Sequence, residues 1–565
     1  IIVKDEIWGF QNSDPGFSPN GEYVLFTAIR NFEQDIFVHN IKENKTTNLT
    51  NTGVTEAGPI WAPDGKSIFF TSQRLKPSYP FGMQNARVYR VPLENIDEPY
   101  RLDKFNELFK EEKKDTIKKD SAKKVTPIDT LKSIVIDTDL IMERFEQISP
   151  SLGAGFLNAV YQKADKTTVL YSSNHGEAKT ALWKTILEPF EQNKTEKIAG
   201  TDNGQGYDIV EVSDKIYVQF GGNIYKLNLE VNKIDPINIS YTFRRNLSEE
   251  FDQMFYETWA QVEENFYDEN FHGLNWSKTK DYYKQFLPYL NTRADIRVML
   301  NDMLGELNSS HQGFGTSGDD ETIVLQNQTM ETGIIFEEDK PYQVKYIVRR
   351  SAADKKAIDI KPGDILVKVN DENVDANRDR NYYFTVPSRD KELRLTLNRN
   401  GQMVNVKVHP QATLFNNLYD EWVDNNQKRV NEKSKGRIAY GYMKNMGQGE
   451  LDQFVIDMTQ ELNNKEALIV DFRYNTGGNV HDEVLKFLQQ RAYLNWKYRE
   501  GSLSKQSNFS PSDKPIVLLI NEQSLSDAEM TAAGFKALKL GTIIGNDTYR
   551  WIIFTSGITL VDGSS

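Results

Sequence analysis

Over roughly the first 245 residues apolar and polar positions alternate in short runs, the period of half-buried strands. "FSPNGEYVLFTA" from Phe17 and "WAPDGKSIFFTS" from Trp61 repeat one unit, 44 residues apart. Each is a Pro-Asn-Gly or Pro-Asp-Gly turn leading into an alternating strand, which is hairpin chemistry. A further short strand follows each, "DIFVHN" at Asp35 and "RVYRVP" at Arg87. Weaker copies read "YQKADKTTVLYSS" with "ALWKTI", and "VEVSDKIYVQF" with "NIYKLNL". Paired strands recurring every 40–45 residues or so describe propeller blades, and about four or five are expected in residues 1–245. The charged stretch "KFNELFKEEKKDTIKKDSAKK", Lys104 to Lys124, interrupts the repeat and reads as a solvated insertion or rim helix.

From residue 246 to about 320 the period becomes helical. Phe251, Phe255, Trp259, Val262 and Phe266 recur at spacings of three and four, and "TRADIRVMLNDMLGELNSSHQGFG" predicts a second helix ending near "NSSHQG". Residues 325–410 return to strands with one short helix. From 411 to 565 continuous apolar runs, "ALIVDFR" and "PIVLLIN", alternate with amphipathic helices. That pattern predicts a sheet covered on both faces.

A chain of 565 residues holds several such regions, and its net charge of −13 argues against a general nucleic-acid partner. No apolar run approaches the roughly 20 residues that span a bilayer. With no cysteine, disulfides, thiolate metal sites and a cysteine nucleophile are excluded. His39, His175, His272, His409 and His481 are scattered, with no metal-ligand spacing, so no metal or other cofactor is expected.

Three loops carry candidate chemistry. "NEQSLSDAEM" places Ser524, Ser526 and Asp527 where a strand ends and a helix begins. Helix capping explains such residues, and so does a nucleophile raised at a helix N-terminus. "DFRYNTGGNVHDE" follows another buried strand, and its Gly477 and Gly478 allow a backbone N–H to approach a ligand, as an oxyanion hole requires. "NSSHQG" offers Ser310 and His311.

Together these loops resemble the C-terminal processing peptidase and tricorn group of serine peptidases. "FYETWAQVEENFYDENFHGLNW" and "TRADIRVMLNDMLGELNSSH" are similar to the tricorn domain that carries a catalytic histidine, and "IKPGDILVKVNDENV" resembles a PDZ domain. "DFRYNTGG" and "NEQSLSDAE" follow in the family's order. The resemblance implies four parts: a partial β-propeller at 1–245, a helical domain at 246–320, a PDZ domain at 325–410 and an α/β crotonase-like serine peptidase core at 411–565. It implies Ser526 as nucleophile, His311 as general base and Ser310 as the residue orienting that base. It also implies an oxyanion hole from the backbone N–H groups of Asp527 and of Gly477 or Gly478. Simple processing peptidases use a downstream lysine instead, but the matching position is Trp551 and no lysine follows Lys539. The tricorn pattern adds a glutamate farther along than residue 565, so either the sequence stops short of it or the site lacks that anchor.

The expectation is a serine endopeptidase acting on unfolded polypeptides or oligopeptides, homo-oligomeric by family analogy, in a bacterial periplasm or envelope. Two rivals stand beside it: a catalytically degenerate peptide-binding scaffold, and a crotonase-type enzyme acting on acyl thioesters.

Overall fold

A computed structural model describes residues 2–565 apart from 7–13, 31–32, 75–82, 84, 95–133, 177–178, 190, 205, 243, 319–320, 322–326, 388–391, 463–464, 508, 554 and 556. The expected rim insertion at Lys104 to Lys124 lies outside the described residues. The chain forms two compact units, Ile1–Asn246 and Leu247–Ser565.

Among the described residues the first unit holds four antiparallel sheets of four strands each, every sheet pairing its strands in chain order. In the first sheet Tyr23–Arg30 and Glu33–Asn40 pair along their whole length. The second sheet closes differently. Arg87–Pro92 pairs with Glu146–Gln147, a strand more than 50 positions farther along. Gly155–Lys163 to Lys194–Lys197 make the third sheet, and Asp208–Val212 to Lys233–Pro236 the fourth. The weaker copies lack the Pro-Gly turn. They turn instead through residues held at positive φ: Ala164 in the third sheet, Ser213 and Asp214 in the fourth. One apolar cluster joins Leu25 and Val38 of the first sheet to Ile68 and Tyr89 of the second. Another joins Phe69 and Val88 to Val169 and Tyr171, and a third joins Leu170 to Val218 and Leu227. Consecutive sheets therefore share their cores, as stacked repeats do.

The second unit begins with helices α1 (Leu247–Asn265), α2 (Trp276–Lys284) and α3 (Arg293–Gly305). Thr292 starts α3 with a capping box to Asp295. Phe251 and Phe255 are buried against Ile296, Leu300 and Met303, while Trp259, Val262 and Phe266 line the edge of that core. The aromatic stripe is thus packing surface. The described residues of 327–408 form three small sheets around a core that includes Val344, Leu366 and Leu395. Asp364, buried beside the turn at Gly363, is held by paired bonds from Arg399 at 2.8 Å each.

Helix α4 (Phe415–Ser434) leads into a four-stranded parallel sheet, β1 (Ile438–Tyr442), β2 (Ala467–Asp471), β3 (Ile516–Ile520) and β4 (Thr542–Gly545), in that order. The crossovers carry α5 (Gln448–Leu462), α6 (His481–Leu488) and α7 (Asp527–Ala537). Because side chains alternate along a strand, Ala439, Leu468 and Val470 face one core with Phe454, Val484 and Phe535. Tyr440 and Ile469 face the other, with Tyr419 and Val423 of α4. Both faces are covered, and β2 and β3 end side by side beneath the glycine loop and the serine corner.

Candidate active site

The serine corner begins with a tie between two strand ends. Ser524 is fully buried; its hydroxyl donates to the Phe472 carbonyl at 2.7 Å and accepts the Asn521 N–H at 3.0 Å. Ser524 is therefore a structural residue. Ser526 is half-buried at the N-cap of α7 with φ 54° and ψ −118°. A residue with a Cβ enters that region only when its surroundings force it. Here they do. The Ser526 N–H donates to Glu529 Oε2 at 2.8 Å, the Glu529 N–H returns to the Ser526 carbonyl at 2.9 Å, and the Leu525 N–H donates to the Asn475 carbonyl at 3.0 Å.

The glycine loop meets this corner directly. Buried Asn475 donates from Nδ2 to the Met443 carbonyl at 2.9 Å, and its Oδ1 accepts the Gly477 N–H at 2.9 Å. Gly477 has φ +80°, and a Cβ there would stand 2.7 Å from Ser526 Cβ and 3.0 Å from the Leu525 carbonyl oxygen. A Cβ at Gly478 would stand 2.2 Å from the Met446 carbonyl oxygen. Only glycine fits either place. The two candidate donors differ: the Gly477 N–H is committed to Asn475, whereas among the described residues the N–H groups of Gly478 and Asp527 donate no hydrogen bond.

Asp527 performs its work through two different groups. Its buried carboxylate accepts the N–H of Val480 at 2.7 Å, the N–H of His481 at 3.0 Å and His481 Nδ1 at 2.5 Å. That hydrogen bond raises the His481 imidazole above its ordinary value against the opposing effect of burial. The side chain thus ties the start of α6 to the start of α7, while its main-chain N–H stays open.

His311 lies on a loop beyond α3, which ends at Gly305 rather than near "NSSHQG". Two overlapping turns follow, closed by the Leu307 N–H on the Leu304 carbonyl and the Asn308 N–H on the Gly305 carbonyl, and Asn308 and His311 both take positive φ. Ser310 is half-buried and His311 exposed, at the rim of a cleft of about 750 Å³ whose walls include Phe266, Phe314, Ile552 and Ile558. The imidazole stacks on the indole of Trp551, with ring centroids 4.1 Å apart at 29°. Among the described residues no hydrogen bond joins His311 to Ser526 or to the Ser310 hydroxyl. Trp551 bridges instead, because its N–H donates to the same Glu529 oxygen that holds the Ser526 N–H. Sequence reasoning singled out Ser526, His311, Ser310, Asp527, Gly477 and Gly478, but not Glu529 or this use of Trp551. Nor did it foresee the bond of His481 to Asp527.

Residues 247–305 match the family model "Tricorn protease C1 domain", and residues 436–565 match "Peptidase family S41". The chain is 24% identical over 572 residues to a tricorn protease homolog of Saccharolobus solfataricus, covering 95% of this chain and 50% of that one. It is 24% identical over 367 residues to the tricorn protease of Thermoplasma volcanium, covering 61% and 34%. Among solved structures, a crystal structure of the tricorn protease superposes with a TM-score of 0.67 at 20% identity, over 98% of this chain and 54% of that one. At that identity the likeness concerns the fold. The chain spans about half the length of these relatives, or less. The two domain matches and the tricorn relatives make this chain similar to the tricorn-like members of peptidase family S41.

Proposed function

We propose that this chain hydrolyses peptide bonds in unfolded polypeptides or oligopeptides through an acyl-enzyme on Ser526, with His311 as general base. The observation that carries the reading is the wedge of Gly477 against Ser526, which sets a strained serine beside two open N–H donors. A serine hydroxyl is a weak nucleophile until a base takes its proton, and an imidazole does so near neutral pH. Ser526 Oγ bonds to the scissile carbonyl carbon as His311 accepts the proton. The carbonyl oxygen becomes an oxyanion facing the N–H groups of Asp527 and Gly478, at the positive end of α7. His311 returns the proton to the leaving amine, and water then repeats the cycle on the acyl-enzyme. Ser310 is assigned to orient His311.

The sheets of the first unit suit a partial propeller. The unit at 327–408, with its Gly363-Asp364 turn into the strand Ile365–Val369, suits a PDZ-type peptide-binding edge. Homo-oligomeric assembly, a crotonase-like core and a bacterial envelope location complete the reading.

The test is casein cleavage and fluorophosphonate labelling by the full chain beside Ser526→Ala and His311→Ala. Cleavage should fall at least about a thousand-fold in both variants, with labelling lost in the first. Cleavage that survives Ser526→Ala would sink the assignment. An unaltered, folded chain that neither cleaves nor labels would favour the peptide-binding scaffold.

A further inference from the structure

We propose that Glu529 and Trp551 form a positioning relay that holds His311 in register with Ser526; the inference rests on the peptidase reading above. Glu529 is 3% exposed, yet the hydrogen bonds its carboxylate accepts come from backbone N–H groups. Oε2 takes those of Ser526 and Trp551, each at 2.8 Å, and Oε1 takes that of Arg550 at 2.6 Å. A side chain that only capped α7 would need the first of these. The other two bind a segment more than 20 positions farther along the chain.

That segment is laid along the corner by consecutive donors. The Tyr549 N–H donates to the Ser524 carbonyl at 3.0 Å, and Arg550, at φ +69°, turns the backbone so that its own N–H and the next both meet one carboxylate. A carboxylate suits this place because both oxygens only accept. The Trp551 ring then projects onto His311, with Tyr549 behind it at 5.2 Å.

The same strap grips the histidine loop a second time. Leu560 enters the core of the helical region, Asp562 accepts from Arg293 at 2.7 Å and from Thr316 at 3.0 Å, and Gly315 and Ser565 exchange backbone bonds of 2.8 and 3.3 Å. His311 is therefore bracketed: its ring lies on Trp551, and the residues just after it are tied to 560–565. Among the described residues its imidazole makes no hydrogen bond, so the stack is the restraint on the ring.

The experiment measures kcat and KM on a fluorogenic oligopeptide, with Tm, for the full chain and for Trp551→Ala, Trp551→Phe, Glu529→Gln and the double variant Glu529→Gln with Trp551→Ala. Because a misplacement of ~1 Å costs about 100-fold, Trp551→Ala should lower kcat at least about tenfold with KM changed less than about twofold. Trp551→Phe should recover most of the loss. Glu529→Gln should lower kcat as well, and the double variant no further than the worse single, since residues acting in series are not additive. An unchanged kcat in Trp551→Ala, an equal loss in Trp551→Phe, or additive losses would each overturn the relay. If Glu529→Gln fails to fold, the two Trp551 variants decide alone. Failure of the underlying reading looks different: cleavage would persist in Ser526→Ala, and the relay would fall with it.

Discussion

Around Ser526 the neighbours are buried and their hydrogen bonds are local. Ser524, Asn475, Asp527 and Glu529 are each under 4% exposed, and all stand in the glycine loop, the serine corner or the first turn of α7, beyond the ends of adjacent strands. His311 is exposed, on a loop without regular structure, restrained by an aromatic stack and by a strap that arrives from the far end of the chain. Ser526, the proposed nucleophile, is over-determined by its own loop and one neighbour. His311, the proposed base, depends on contacts made across roughly 250 positions of sequence, whose closure entropy must be offset before they form. The two halves of such a site should therefore fail separately.

Arg293 offers the largest separation. Its guanidinium is 1% exposed and joins Asp562 at 2.7 Å to Glu250 at 2.5 Å. Removing it leaves two carboxylates without their shared cation, at a cost of about 3–5 kcal/mol. Arg293→Met should therefore lower Tm, and in hydrogen exchange residues 314–316 and 560–565 should lose protection while α7 keeps its own. Equal loss of protection in α7 would show that His311 and Ser526 are not held independently.

Gly477 breaks the other half. Alanine there would need to accept φ +80° and to stand 2.7 Å from Ser526 Cβ. Gly477→Ala should cost about 100-fold in kcat through displacement of Ser526, and roughly 1–3 kcal/mol of stability through overpacking. Fluorophosphonate labelling of Ser526 should slow in parallel, while exchange in the 560–565 strap stays as it was. Labelling at the unaltered rate would mean that the loop yields and that the wedge is not what positions Ser526.

This division also explains what could be read in the sequence. "DFRYNTGG" and "NEQSLSDAE" were legible because each packs turn-forming and polar residues within ten positions, the first with its glycine pair, where local geometry dictates residue type. The strands β2 and β3 were legible because continuous apolar runs signal a sheet buried on both faces. Glu529 was hidden in plain view: as the third residue of a helix it looks like an ordinary capping-box partner, and nothing local reveals its bonds to Arg550 and Trp551. Trp551 stood out only as a position lacking lysine. In the first unit the Pro-Asn-Gly and Pro-Asp-Gly turns announced two sheets, but Glu146–Gln147 pairs with Arg87–Pro92 across the intervening chain and carried no signal of its own. The end of α3 at Gly305 was missed because "ELNSSH" continues a plausible helical pattern beyond the residue that stops it.

The smallest predicted effect tests whether the serine corner is as uniformly tied as its burial implies. The Asp527 carboxylate, with Asp482 and Glu483 nearby, raises the pKa of His481. A group whose folded pKa is raised contributes fully below its unfolded value, about 6.5 for histidine, and that contribution fades as pH climbs through the raised folded value. Tm should therefore decline gently above pH 6.5, by less than about 1 kcal/mol in stability because His481 is only partly shielded from solvent. His481→Gln should flatten the decline, since glutamine still donates to Asp527 without titrating. If the decline survives in His481→Gln, its source lies outside this pair, and the charged state of His481 contributes nothing to holding α6 against α7. In that case the two backbone N–H bonds from Val480 and His481 to Asp527 already suffice, and the glycine loop is held by geometry that does not titrate at all.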